Sequence, residues 1–443
     1  MAAPVPGPDD APSSLVLQEL SSQSDLQTSA GVPPAQAQVG LRQTFRALRH
    51  RNFRLFITGQ IVSLIGTWMQ NVAQAWLVYR LTHSELLLGM AWFCTQIPVF
   101  ALGPLGGLAA DRCSRHRLVM VTQSLAMVQA AVLAALTLTG RVQVWHILAL
   151  SLMLGCVNAF DMPGRQSLII QMAGREDLLN AISLNSAIFN AARVIGPGIA
   201  GLLVAAVGEG ACFLLNAVSF LAVIFCLAAM RLPPCERQVI DSPWSHLVDG
   251  FRYAWHHRRV RTLLAMMATA TIAGMPAVVL MPFFADAVFH RGSRGLGFLM
   301  GAMGVGAVTG TLVLAGWTRV DGLARVIFYS AATMGAAFVL FAWSSWFYVS
   351  LAIMPVLGYS VMRQMASANT LIQTSIPDEY RGRIMALYSM TVVGLGPFGS
   401  LAAGGLAHAY GARATVAAGG ALALAAALVF RLKILREKGE WSA

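Results

Sequence analysis

The sequence predicts an all-α polytopic membrane protein, with twelve transmembrane helices in two pseudo-symmetric six-helix halves, and three observations carry that prediction. Hydrophobic residues make up 57% of the chain and charged residues only 11%, against roughly 25% charged in an average soluble domain. With a mean hydropathy of +0.64, the chain holds more apolar surface than a soluble core absorbs, and a bilayer takes up the excess. Removing the termini and the central loop leaves roughly 370 residues, and a spanning helix with its connection takes roughly 30, so about twelve spans fit. Landmarks also repeat about 200 residues apart. Gly196-Pro197 returns as Gly396-Pro397, Trp145 as Trp346, and Phe45-Arg46 as Phe251-Arg252. Two related membrane-spanning halves are a common construction of secondary transporters.

Residues 1–40 are rich in Pro, Ser, Gln and Ala, lack an apolar core of signal-peptide type, and read as a disordered cytoplasmic tail. The first half, 41–231, holds apolar runs near 55–79, 86–109, 118–139, 144–166, 181–206 and 210–230. A linker follows over 232–259. In it Ser242 and Pro243 mark a helix start, and Trp244, Leu247, Val248, Phe251 and Trp255 form an apolar stripe. Two readings of this stripe stand, a helix on the inner leaflet and a plain connector between halves. The second half, 260–432, holds runs near 261–288, 295–316, 324–343, 347–372, 384–408 and 414–431, and residues 433–443 form a short tail.

Alternate loops differ sharply in charge. One side carries Arg42, Arg46, Arg49, Arg51 and Arg54, then Arg112, Arg115 and Arg117, and continues so to Arg431, Lys433, Arg436 and Lys438. The other has little more than Arg80, Arg141, Arg291, Arg294 and Arg413. The positive-inside rule then places both termini in the cytoplasm. Trp145, Trp343 and Trp346 fall at the outer turns, where amphipathic rings prefer the headgroups. A formal charge of +12 spread over short loops is not the one-faced basic patch of a nucleic-acid binder. Cysteines 94, 113, 156, 212, 226 and 235 show no metal-ligand spacing and read as packing residues. No metal or cofactor is expected. No span pairs a nucleophile with a base, so an enzyme is not expected either. A phosphate-binding Gly-x-x-x-x-Gly-Lys-Ser/Thr loop is missing from the sequence, which argues against direct drive by ATP.

The strongest local motif runs from Gly107 through Asp111-Arg112-Cys113-Ser114-Arg115 to Arg117 at the end of the second span. It resembles Gly-x-x-x-Asp-Arg-x-Gly-Arg-Arg/Lys, the cytoplasmic loop signature of the major facilitator superfamily, with Ser114 in place of glycine. The resemblance extends over about residues 40–432, and Gly316 to Asp321 forms a degenerate second copy. It implies that Gly107 allows close helix approach and that Asp111, beside Arg112 and Arg115, holds the cytoplasmic ends closed. Its implied partner is the start of the eleventh helix, Arg381-Gly382-Arg383, through an Asp111–Arg383 contact. A cluster that only enforces topology is the plainer alternative. Gly196-Pro197 through Gly201 is similar to the glycine-proline motif of the superfamily's antiporters, and Gly396-Pro397 repeats it. Proline frees a carbonyl and bends the helix, while glycine permits close packing. A structural kink alone is the simpler account. Asp161-Met162-Pro163-Gly164-Arg165-Gln166, with Ile376 to Arg383, resembles the subgroup that includes the enterobactin exporter.

Asn158, Asp161 and Arg165 share one face of the fourth span. Asp161 falls roughly 6 to 9 Å inside the hydrocarbon at 1.5 Å per residue, and Arg193 falls near the midplane. Intramembrane ions are costly unless paired or hydrated, so both should face the interior. Asp161, with Arg193, is the proton-coupling candidate. A static Asp161–Arg165 or Asp161–Arg193 pair is the equal alternative. Thr67, Gln70, Asn71 and Gln74 in the first span, Gln96, Asn158, and Arg363 with Gln364 supply polar groups for a cavity. Trp68, Met69 and Phe93 suit the apolar part of a substrate. Each polar group alone more often makes an ordinary interhelical hydrogen bond.

The expectation is therefore a monomeric transporter in a bacterial inner membrane. It exports an amphipathic small molecule of siderophore or drug type by alternating access, with protons as coupling ion. An importer of the same fold and a non-transporting membrane sensor are the alternatives.

Overall fold

The computed structural model describes residues 46–174, 176–230, 251–315 and 322–436. The expected N-terminal tail, the helix start at Ser242-Pro243-Trp244, the loop from Gly316 to Asp321 and the last seven residues lie outside them. The helices all belong to one unit, Ala47–Ala443.

The described residues form a helical array without strands. The first half contains α1 (Arg51–Thr82), α2 (Glu85–Arg112), α3 (Arg115–Leu138), α4 (Val144–Ala173), α5 (Leu178–Val207) and α6 (Glu209–Ala228). The second contains α7 (Arg258–Val279), α8 (Gly292–Ala315), α9 (Leu323–Trp343) and α10 (Phe347–Thr374). It ends with α11 (Asp378–Gly394), α12 (Gly396–Tyr410) and α13 (Ala412–Arg436). After α7 the chain continues through a short turn into a π-helical turn, Phe284–Val288. A helix also covers 251–256, where the exposed rings of Phe251 and Trp255 stack with centroids 6.0 Å apart.

Among the described residues, ten segments are long and apolar enough to cross a bilayer, with α11 and α12 counted as one. The other two long helices, α1 and α10, have 32 and 28 residues, ample for a hydrocarbon core of about 30 Å. Their hydropathy is lowered by buried polar residues, Gln60, Ser63 and Gln70 in α1 and Ser360, Gln364 and Ser367 in α10. Polar residues buried in protein do not meet lipid, so α1 and α10 fit the expected count of twelve.

Packing repeats between the halves. In the first, α2 packs on α4, α1 on α5 and α6, and α3 on α4 and α6. In the second, α8 packs on α10, α7 on α12 and α13, and α9 on α10 and α13. Each contact in one half has its counterpart in the other, as the landmark repeats predict. The halves meet through α5 on α8 and α2 on α12, which are again the same pair under the pseudo-two-fold.

Glycine explains why α2 and α4 pack closely, at the position beside the expected one. A Cβ at Gly106 would lie 1.9 Å from the Ala159 carbonyl oxygen, whereas one at Gly107 would meet nothing within 4 Å. Gly107 therefore makes no close helix approach here. Gly306 repeats the Gly106 contact in the second half, facing the Pro355 carbonyl oxygen. The two Gly-Pro motifs also differ. Pro197 sits inside the continuous helix α5, while at Pro397 the helix breaks at Leu395 into α11 and α12.

Candidate functional site

Two adjoining cavities occupy the space between the halves, and Trp68, Asn71, Ala75 and Trp92 line both. The one against the first half, about 300 Å³, has a polar wall that includes Thr67, Gln96, Asn158 and Asp161. The one against the second half, about 290 Å³, is almost wholly apolar. Methionines 267, 275, 300, 303, 334, 362 and 365 line it, with Arg193 as the one charged side chain among the described residues and Gln364 and Asn71 as the amides. Methionine is unbranched and polarisable, so such a wall adapts to varied apolar shapes. Apolar cavities with a few placed polar groups are the usual form of a small-molecule site.

Helix ends determine where this space opens. At the Arg-poor ends, a Cβ at Gly201 in α5 would lie 2.7 Å from the Gly297 Cα in α8, and Ser293 Oγ donates to the Gly201 carbonyl at 3.4 Å. A Cβ at Gly89 in α2 would lie 2.5 Å from the Ser400 carbonyl oxygen and 3.0 Å from the Gly404 Cα in α12. At these two points the backbones are in direct contact. At the Arg-rich ends, Cβ atoms at Gly103, Gly107 and Gly382 would meet nothing within 4 Å. Asp111 has no hydrogen-bond or ion-pair partner among the described residues. The expected Asp111–Arg383 contact is therefore not made, and the Arg383 guanidinium lies over the Tyr380 ring at 5.6 Å. Arg112 is exposed and Arg115 half-buried, and neither pairs with Asp111. The α5–α8 and α2–α12 backbones thus touch at their Arg-poor ends, while Gly103, Gly107 and Gly382 at the Arg-rich ends of α2 and α11 are uncovered among the described residues.

Asp161 is 2% exposed and anchored on three sides. Its carboxylate pairs with Arg165 Nε at 2.6 Å and accepts from Thr122 Oγ1 and Gln123 Nε2, each at 2.8 Å. Arg165 in turn donates to Gln60 Oε1 at 3.0 Å. The group ties α1, α3 and α4 together at the foot of the polar wall, and the partner of Asp161 is Arg165, not Arg193. Gln70 is likewise committed, because its Nε2 donates to Gln129 at 3.0 Å and its Oε1 accepts from Asn216 at 2.7 Å. Gln74 donates to Ser151 Oγ at 2.9 Å and Thr67 to the Ser63 carbonyl. Of the expected amides, Asn71, Gln96, Asn158 and Gln364 line the cavities without such engagement among the described residues. Arg363 does not join the lining. Its Nη1 donates to Tyr359 Oη at 2.8 Å, with the guanidinium over that ring. Gly196 packs its Cα against Trp68 in α1, and Gly396 faces Met275.

Sequence reasoning did not find the methionine wall, whose residues read singly as core, nor the pairing of Gly201 with Gly297 and of Gly89 with Gly404. It also missed two ionic ties. Glu209, 5% exposed, takes Arg80 at 2.7 and 3.2 Å, and Asp177 takes Arg49 at 2.7 Å and His50 at 2.8 Å. An acidic residue beside an apolar run, Glu209 alone and Asp177 after Glu176, was the available signal.

Comparison with known proteins agrees with this architecture. The profile of the transmembrane secretion effector family matches residues 42–442. The multidrug efflux pump Tap of Mycolicibacterium fortuitum is 26% identical over 372 residues, covering 82% of this chain and 90% of the pump. The staphyloferrin A transporter of Staphylococcus aureus is 25% identical over 355 residues, covering 79% of this chain and 87% of the transporter. Among solved structures, the nucleoside transporter NupG superposes with a TM-score of 0.71 at 13% identity, over 86% of this chain and 98% of that one. A bacterial homologue of the iron transporter ferroportin, in an inward-facing state, gives 0.67 at 19% identity, over 86% and 98%.

Proposed function

The chain belongs to the transmembrane secretion effector family of major facilitators and is a multi-pass membrane transporter, not an enzyme, and we propose that it exports an amphipathic small molecule, of siderophore or drug type, in exchange for protons. The observation that carries the proposal is a central space with one polar and one methionine-lined wall, where the helices of the two halves touch closely at the Arg-poor ends and leave Gly103, Gly107 and Gly382 uncovered at the Arg-rich ends. By the positive-inside rule the Arg-rich ends and both termini face the cytoplasm of a bacterial inner membrane. On this reading the uncovered Arg-rich side is where the exporter takes up its substrate from the cytoplasm. Its similarity to a multidrug efflux pump and to a staphyloferrin A transporter supports the substrate class.

Transport on this reading proceeds by exchange of the closed end. The α5–α8 and α2–α12 contacts part, the Arg-rich ends meet, and Asp111 then reaches the start of α11 at Arg381-Gly382-Arg383. Gly196, Pro197 and Gly201 in α5, and Gly396 and Pro397 at the α11–α12 break, are where the moving helices bend and slide. Asp161 is the coupling group, because it is the only carboxylate among the described residues that lines either cavity. A proton arriving there displaces Arg165 and loosens the tie among α1, α3 and α4. The protein acts as a monomer, each chain holding one complete cavity.

Metabolite profiling of cells and medium, for the host strain and its deletion strain, tests the proposal. A compound that accumulates inside and falls outside on deletion, restored by the wild-type gene, supports export. The opposite redistribution establishes import in its place.

A further inference from the structure

The cavity between the halves holds a charge imbalance. Asp161 and Arg165 neutralise each other at 2.6 Å, and Thr122 and Gln123 occupy the remaining face of the carboxylate. Arg193 has no such counterpart. It lines the apolar cavity, its Nη2 is buried without a hydrogen-bond partner, and no described side chain pairs with it. Gln364, 1% exposed, lines the same cavity from the other half, and both polar atoms of its amide lack a partner among the described residues. Buried donors and acceptors in proteins are nearly always satisfied, and each exception requires an explanation. Here an uncompensated guanidinium on α5 and an uncompensated amide on α10 line one methionine-walled space. Arg193 is held at that wall by its backbone, since a Cβ at Gly304 in α8 would lie 3.1 Å from the Arg193 carbonyl oxygen.

We propose that this cavity selects an amphipathic organic anion, with Arg193 receiving a carboxylate or similar acidic group and Gln364 hydrogen-bonding a polar group on the same molecule. The inference rests on the transport reading above and narrows its substrate class. A guanidinium presents paired donors in a fork that matches a carboxylate, and the low-polarity surroundings strengthen the contact. The substrate's apolar body lies against Met267, Met275, Met300 and Met303. A cationic substrate meets Arg193 with like charge and finds no available carboxylate, because the one in the lining is already bound.

The test measures equilibrium binding to the full-length protein in lipid nanodiscs, by quenching of Trp68 and Trp92, with empty nanodiscs as the reference. Three probes share one apolar body: pyrenebutyrate, its neutral primary amide, and pyrenebutyl-trimethylammonium. The expected result is that pyrenebutyrate binds wild type about tenfold tighter than the amide, the worth of one charge-assisted contact, and that the ammonium binds weakest. Arg193→Gln abolishes the preference, and Arg193→Lys retains part of it. Equal binding of the three probes, no binding of any, or a preference unchanged in Arg193→Gln overturns the inference. The wild-type comparison decides the matter even if a variant fails to fold. The metabolite redistribution on deletion is scored separately. Export of a neutral or cationic compound refutes the anion preference and leaves export standing, whereas an anion preference in nanodiscs with no redistribution refutes export alone.

Discussion

Gly201 and Gly297 bring two backbones together where any side chain would collide, since a Cβ on either would lie 2.7 Å from the other's Cα. The contact joins the two halves at their Arg-poor ends, and Gly89 with Gly404 repeats it across the pseudo-two-fold. A substituent there has no flexible neighbour to displace. Gly201→Leu should therefore destabilise the shut end and favour its opening. In a background with native cysteines replaced by alanine, Asn71→Cys reports cavity access from the Arg-poor side. Gly201→Leu should raise its labelling by a membrane-impermeant thiol reagent about tenfold, equivalent to 1.4 kcal/mol. An unchanged rate would separate these glycines from the gate.

Asp161 combines a structural tie with the proposed coupling role, and the two separate experimentally. Asp161→Ala leaves Arg165 without its anion. It should cost about 3 kcal/mol of stability, the low end for a broken buried pair because Arg165 is 27% exposed. Asp161→Asn keeps an acceptor for Thr122 and Gln123 and should cost about 1 kcal/mol. Thermal unfolding of the detergent-solubilised protein, followed by tryptophan fluorescence, measures both. If coupling runs through this carboxylate, Asp161→Asn should fold and yet transport without response to a pH gradient. Retained response would leave the residue a purely structural role.

Gln70 and Gln364 should behave oppositely although both are buried glutamines. Gln70→Leu orphans Asn216 and Gln129, so it should lower stability by about 1–3 kcal/mol with little change in ligand affinity. Gln364→Leu removes an amide that has no partner among the described residues and should leave stability equal or higher. The same unfolding assay distinguishes them.

Asp177 fixes the start of α1 to the connection between α4 and α5 through Arg49 and His50. Asp177→Ala should cost about 2 kcal/mol, less than a fully enclosed pair because Arg49 is half exposed. Protease nicking before Arg51 should accelerate accordingly, and an unchanged digestion rate would show the tie to be incidental.

The helices were legible because twenty apolar residues between charged turns have few physical alternatives, and the Gly-Pro and Trp repeats revealed the two halves. Helix faces were less legible. Gly106 and Gly107 are equally permissive in sequence, and only the direction each faces makes one a contact and leaves the other open. Amides carry no sign of whether a partner waits for them, so Gln70 and Gln364 read alike while one is committed and one is not. Methionines from several helices become a wall only when folding assembles them. Arg193 was legible as an intramembrane charge, but its lack of a partner among the described residues emerges from the geometry alone.

Vesicle transport decides both the direction of movement and its coupling. The metabolite identified by profiling is supplied, radiolabelled, to everted membrane vesicles, whose cytoplasmic face is outermost, and to right-side-out vesicles from the same cells. Export in exchange for protons requires accumulation in energised everted vesicles, collapse of that accumulation by a protonophore, and none in right-side-out vesicles. Accumulation in right-side-out vesicles instead would contradict export, and uptake by everted vesicles that ignores the protonophore would contradict the exchange with protons.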